Sequence, residues 1–124
     1  MKIKRIVAIP VAIPVKRVGY FSRARRTAAL RTIVKIDCDN GIQGIGETRG
    51  IHAASIINDK FAALLKDEEI TGPASIRLLC LPETVDYGYP DQLVEQSAYA
   101  AVDMAIFDCM GKDLNTPLYN LIGG

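Results

Sequence analysis

The sequence predicts an α+β fold, a three-stranded antiparallel meander followed by three to four helices. Two observations carry this. Apolar residues alternate over residues 3–15 and 31–48, and after residue 50 they take the three-and-four spacing of helices. The two patterns are segregated along the chain, which points to α+β and not to alternating βαβ units.

The first strand is read from residues 3–15, where Ile3, Val7, Ile9, Val11, Ile13 and Val15 occupy odd positions. Period two predicts that this odd face is buried. Pro10 and Pro14 fall between them. Proline cannot donate to a ladder, so the strand belongs at a sheet edge or leaves the sheet near Pro10. Residues 16–30 show no clear period and read as a long exposed loop. Loops of that length in compact domains usually serve a function or are disordered.

Thr32, Val34, Ile36 and Cys38 then alternate with charged residues up to Asn40-Gly41. Asn-Gly between two such runs signals a two-residue hairpin turn. That turn would set Cys38 against Gln43, Ile36 against Ile45 and Val34 against Glu47. Glu47 would share the apolar face, unless a bulge at Gly44 or Gly46 turns it away.

Ala54, Ile57, Phe61, Leu64 and Leu65 fit one helix face. Pro73 opens a second, short helix with Ile76, Leu79 and Cys80 turned inward. Tyr87-Gly88-Tyr89-Pro90 reads as a turn-rich link. The longest helix covers Asp91–Lys112, with Leu93, Ser97, Ala100, Ala101, Met104 and Phe107 on its packing stripe. Thr116-Pro117 caps a last short helix that stops at Gly123-Gly124.

At 124 residues the chain is one domain, and its 49% hydrophobic content suffices for a core. No run is long and apolar enough to cross a bilayer, and no signal peptide is expected behind Met1. The expected location is the cytoplasm. Cys38, Cys80 and Cys109 are scattered in apolar runs, which suits buried free thiols better than zinc ligands. The net charge of +1 conceals an asymmetry: residues 1–35 hold ten of the fifteen Lys and Arg residues and no acid. Such a block suits an anionic ligand or a nucleic acid.

Few residues are candidates for chemistry. The lone histidine, His52, has no nucleophile motif to serve and reads as an exposed residue at a loop or helix start. The glycines at 41, 44 and 46 lie inside a hairpin and do not form a phosphate loop; they read as aids to tight pairing or a bulge. Asp103 and Asp108 are five apart on one helix, poor spacing for ligands on one face, and read as hydrogen-bond partners of backbone or Arg groups. Neither catalytic nor metal-ligating residues are assigned in this chain. Arg23, Arg25 and Arg26 beside Tyr20 and Phe21 are the best binding candidates, because Arg forms a planar fork for carboxylates and phosphates.

The segment Ala100–Gly124 carries a likeness. Its Asp103, Phe107-Asp108, Gly111-Lys112, Pro117-Leu118-Tyr119 and Gly123-Gly124 spacing closely resembles the end of the N-terminal domain in the mandelate racemase/muconate lactonising branch of the enolase superfamily. The hairpin ending at Glu47 resembles that family's third strand, and the order of elements matches over essentially the whole chain. The resemblance implies an α+β domain that caps a C-terminal (β/α) barrel, with two loops closing over substrate. Here those loops are about 16–30 and 48–54, making Tyr20, Phe21, Arg23, Arg25, Arg49 and His52 the candidate substrate contacts.

The family's chemistry is proton abstraction beside a carboxylate, with Mg²⁺ stabilising the enediolate. Its bases and metal ligands lie on barrel strands, which have no counterpart in these residues, so no cofactor is expected in this chain. The resemblance implies a sugar-acid dehydratase or racemase as the parent activity, and a domain inactive alone. A homo-oligomer or a separately encoded barrel chain would cover the surface that the barrel covers in relatives. A stand-alone module binding an anionic ligand or nucleic acid through residues 16–35 is the alternative.

Overall fold

A computed structural model describes residues 1–81 and 90–124. Three strands form one antiparallel sheet in the order β1 (Ile3–Phe21), β2 (Ala24–Cys38), β3 (Gln43–Arg49). Next come α1 (Ala53–Ile56), a π-helical turn (Ile57–Phe61) and α2 (Ala62–Leu65), then α3 (Pro73–Cys80), α4 (Pro90–Asp113) and α5 (Leu118–Leu121). The helices cover one face of the sheet, and the core lies between the layers. The α+β meander followed by helices is the predicted architecture. The expected link at 87–89 lies outside the described residues.

The strands hold three corrections. First, β1 is an edge strand as its prolines require, but it stays in the sheet past Pro10, which pairs with Thr32. An irregularity between Ile3 and Arg5 reverses its faces. Ile3, Ile6 and Ala8 are buried, whereas Ile9 is 48% exposed on the opposite side. The bulge sets small Ala8 beneath the helices and turns the odd-numbered apolar row outward.

Second, residues 16–30 are not an open loop. They continue β1 and β2 as a two-stranded ribbon, with Gly19 opposite Arg26, Tyr20 opposite Arg25 and Phe21 opposite Ala24. Its turn is Ser22-Arg23, with Ser22 at φ 41°. A register shift between Pro14 and Gly19 separates the ribbon from the main sheet. That break in pairing is why its sequence lacks a clean period.

Third, the β2–β3 turn has three residues, Asp39-Asn40-Gly41. The Cys38 amide donates to the Ile42 carbonyl at 2.9 Å, and Gly41 takes φ +84°. One added loop residue slides the register by one and exchanges the faces. Val34 therefore faces Gly46, Ile36 faces Gly44, and Glu47 sits on the outer face opposite Ile33. Glu47 needs no buried partner.

The glycines serve the helix layer and neither a bulge nor tight pairing alone. A Cβ on Gly44 would overlap the Ala105 carbonyl oxygen, and one on Gly46 the Ala101 carbonyl oxygen. Helix α4 thus lies with its backbone against β3. Its buried stripe is Ala98, Ala101, Val102, Ala105, Ile106 and Cys109. This corrects the expected stripe: Leu93, Ser97, Ala100 and Met104 point outward, and only Ala101 of that set is fully buried. Alanines at the contact permit the approach, and the larger apolar residues are excluded from it. Leu64 and Leu79 are likewise outside, at the margins of helix faces whose centres are Ile57, Phe61, Leu65, Ile76 and Cys80. Thr116 does not cap α5; its hydroxyl donates to the Leu114 carbonyl.

Helical side chains close both sheet edges. On β1, the Ala8 amide donates to Asn58 Oδ1 at 2.8 Å, and Asn58 Nδ2 donates to the Ala8 carbonyl at 2.9 Å. The side-chain amide acts as a one-residue substitute for a neighbouring strand. On β3, the Ile45 amide donates to Asp108 Oδ2 at 2.8 Å. Lys112 Nζ donates to the Gln43 carbonyl and to the same Asp108 oxygen, each at 2.7 Å.

Two outcomes follow from these contacts. Gly46→Ala must lift α4 off β3, because the obstruction is backbone; we expect a loss of at least about 2 kcal/mol by chemical denaturation. Asn58→Ala leaves both polar groups of Ala8 without their partner and should cost about 1–3 kcal/mol in the same measurement, with Asn58→Asp recovering only the amide half of the pair.

Candidate functional site

The chain direction places the candidate residues at one end of the sheet. Helix α4 runs antiparallel to β3, since its early residue Ala101 meets Gly46 and its later residue Ala105 meets Gly44. The end of β3 therefore lies beside the start of α4. The Gly50 amide donates to the Leu30 carbonyl at 3.0 Å, and the Thr32 hydroxyl donates to the Gly50 carbonyl at 2.9 Å. These bonds anchor segment 48–54 at the base of the basic ribbon. The two segments singled out in the sequence thus emerge together.

Arg49 and His52 are brought together. With Gly50, Ala53, Leu93, Val94 and Ser97 they line a shallow cavity of about 160 Å³. Both are exposed. His52 precedes α1 with a helical backbone and makes no side-chain cap, so its ring is available to a ligand. Leu93, Val94 and Ser97 were not anticipated as cavity residues. Their outward orientation on α4 depends on which stripe the helix buries.

Tyr20, Arg23 and Arg25 lie on the outer half of the ribbon, and Tyr20 is 77% exposed. Phe21 ends β1 at the ribbon tip. Tyr20, Arg23 and Arg25 do not line the Arg49–His52 cavity. Lys16, Arg17, Arg23, Arg25 and Arg26 all fall between residues 16 and 30, where there is no Asp or Glu. Cations placed close on paired strands repel one another, and an anion at the ribbon relieves that repulsion.

The two aspartates of α4 are already engaged. Asp108 holds the Ile45 amide and Lys112, as described. Asp103 Oδ1 lies 3.1 Å from the Tyr99 hydroxyl, which also reaches the Pro73 carbonyl at 2.9 Å. Burial first, and then the Asp103 charge, push the Tyr99 phenol well above its ordinary range. Asp108 takes the expected backbone partner, with Lys and not Arg as its cation, whereas the partner of Asp103 is a tyrosine hydroxyl and neither backbone nor Arg. Among the described residues no group of three or more His, Cys, Asp or Glu side chains is placed to hold a metal. The described residues therefore offer no ligand set for a divalent cation.

A larger open groove of about 570 Å³ lies at the other end, between the last turns of α4 and α5. Phe107, Gly111, Asn115, Pro117 and Leu118 line it beside the paired Asp108 and Lys112. Its carboxylate and amine, Asp108 and Lys112, are already engaged with each other and with β3, so its size does not make it the reactive centre. Among the described residues, no helix is long and apolar enough to cross a membrane.

Comparison with known proteins agrees with this geometry. Residues 5–123 match the family described as mandelate racemase / muconate lactonizing enzyme, N-terminal domain. The chain is 30% identical over 133 residues to N-succinyl-L-Arg/Lys racemase of Bacillus cereus, covering 100% of this chain and 34% of that protein. It is 30% identical over 126 residues to hydrophobic dipeptide epimerase of Enterococcus faecalis, covering 100% of this chain and 35% of that protein. The crystal structure of the Bacillus cereus racemase superposes with a TM-score of 0.82 at 29% identity, over 100% of this chain and 34% of that one. The chain therefore spans about a third of the length of these relatives. It belongs to the mandelate racemase/muconate lactonizing enzyme family, as that family's N-terminal capping domain.

Proposed function

We propose that this domain closes over an active site carried by a (β/α) barrel and supplies the surface that selects an anionic substrate. The observation that carries this reading is the shared origin of the ribbon and segment 48–54 at one end of the sheet. Arg23 and Arg25 offer planar donors to a carboxylate. Tyr20 offers an apolar face with a polar tip, and Arg49 and His52 line the cavity at the ribbon's base. Their part is to attract, orient and desolvate substrate, not to move protons at the reacting carbon.

The activity of the whole enzyme would be racemisation, epimerisation or dehydration beside a carboxylate. The named activities of the relatives favour the first two, and the sugar-acid substrates suggested by the sequence remain within the same chemistry. Mg²⁺, when bound in such an enzyme, supplies enediolate stabilisation, and its ligands would come from the barrel. The exposed apolar row of Met104, Leu114, Leu118, Tyr119 and Ile122 gives that barrel, or a second copy of this chain, a surface to cover. A cytoplasmic setting suits three free cysteines.

Three outcomes test this. The chain alone, with Mg²⁺ and a panel of sugar acids, N-acyl amino acids and dipeptides, should give no α-proton exchange above background in deuterium oxide. Exchange clearly above background would overturn the assignment of the reaction to the barrel. In the barrel-bearing enzyme, Arg25→Ala should raise KM for an anionic substrate about tenfold with kcat little changed, because a contact far from the reacting carbon contributes uniform binding. Mobility-shift assays of the chain at two salt concentrations should show no shift. Tight binding with a steep salt slope would favour the nucleic-acid alternative.

A further inference from the structure

Three buried cysteines take no part in substrate contact. Cys80 lies on α3, and burial pushes its thiol up to about 12. Cys38 and Cys109 are placed differently. Cys38 is the last residue of β2, and Cys109 lies in the later turns of α4. Their sulfur atoms are 3.6 Å apart in the core, across 71 residues of chain. A disulfide requires a separation of about 2.05 Å, so the gap to close is roughly 1.5 Å.

We propose that Cys38 and Cys109 form a dithiol site that a small peroxide converts reversibly to an intramolecular disulfide, stapling the sheet to α4. One thiol first attacks an oxygen of hydrogen peroxide. The O–O bond breaks, a sulfenic acid forms and one water leaves. The neighbouring thiol then attacks the sulfenic sulfur. The S–S bond forms, the S–OH bond breaks, and the thiol proton leaves with hydroxide as a second water. Two thiols are oxidised and one peroxide is reduced to two waters.

Position assigns the roles. Cys38 stands at the strand end beside the hairpin turn and retains slight exposure, whereas Cys109 is fully enclosed. Cys38 is therefore the sulfur that peroxide reaches, and Cys109 resolves it. Desolvation raises both thiols above their ordinary range, which makes the first step slow in the folded protein. The same desolvation slows the second step, but its partner is already in contact, so no further approach is needed. Such a pair resists over-oxidation, since the sulfenic acid is consumed before more peroxide arrives. Thiol reductants restore the dithiol by exchange.

The test treats the full chain with hydrogen peroxide, quenches it, denatures it and alkylates the remaining thiols for peptide mass analysis. The expected product has lost about 2 Da, carries a Cys38–Cys109 cross-linked peptide and leaves only Cys80 open to alkylation. Dithiothreitol should return all three thiols. The cross-linked form should melt about 5 °C higher, because it closes a long loop in the unfolded chain. Cys80→Ser should cross-link as the unchanged chain does, whereas Cys109→Ser should not. If Cys109→Ser fails to fold, the peptide map of Cys80→Ser decides alone. The proposal is overturned by three free thiols after an exposure that oxidises the urea-unfolded chain. Sulfinic acid at Cys38 without a cross-link, or a disulfide that includes Cys80, overturns it equally.

Discussion

Helix α4 reaches the sheet through backbone, at Gly44 and Gly46, and the other tertiary contacts depend on that approach. Side chains at those two positions would occupy the space of the Ala105 and Ala101 carbonyl oxygens. The helix answers with alanines at 98, 101 and 105 on its buried stripe. The close seating brings Asp108 within 2.8 Å of the Ile45 amide and Cys109 within 3.6 Å of Cys38. Lifting the helix would part all of these pairs together. The same seating decides which side chains of α4 are left facing outward.

Among the described residues the sheet has three strands, β1-β2-β3, so β1 and β3 are edges. Open edges invite pairing with other chains. Asn58 covers β1 at Ala8, and Asp108 with Lys112 covers β3 from Gln43 to Ile45. Asp108 and the glycines at 44 and 46, which the sequence offers only weakly as a ligand and a phosphate loop, thus serve the architecture. Among the described residues, 16–18, 20 and 22–27 are exposed, so the ribbon stands out with its cations. Anchored at the base by Gly50 and Leu30, the ribbon has a fixed root and a free surface. That combination suits contact with a substrate whose reaction is carried out elsewhere.

Family membership and geometry meet at this point. The exposed arginines, Tyr20 and His52 gather at one end of the sheet, and no group of three or more His, Cys, Asp or Glu side chains is placed to hold a metal among the described residues. Under the proposed function, binding and reaction are divided between separate structural units, so selectivity can change on the ribbon while the reacting groups stay undisturbed.

The sequence by itself determined the fold class, the order of elements and the family. Alternation, helical spacing, prolines and the Asp103-to-Gly124 pattern are local signals that survive without coordinates. It also singled out residues 16–30, which are paired strands whose register shift erased their period. Tertiary structure alone decided the faces. A bulge after Ile3 inverted β1, a three-residue turn moved Glu47 to the outer side, and the glycine–alanine seam rotated α4 so that Met104 and Leu93 point outward. Each of these is a one-residue choice in register or rotation. Local propensity leaves such alternatives nearly equal, and the packing of distant residues settles them.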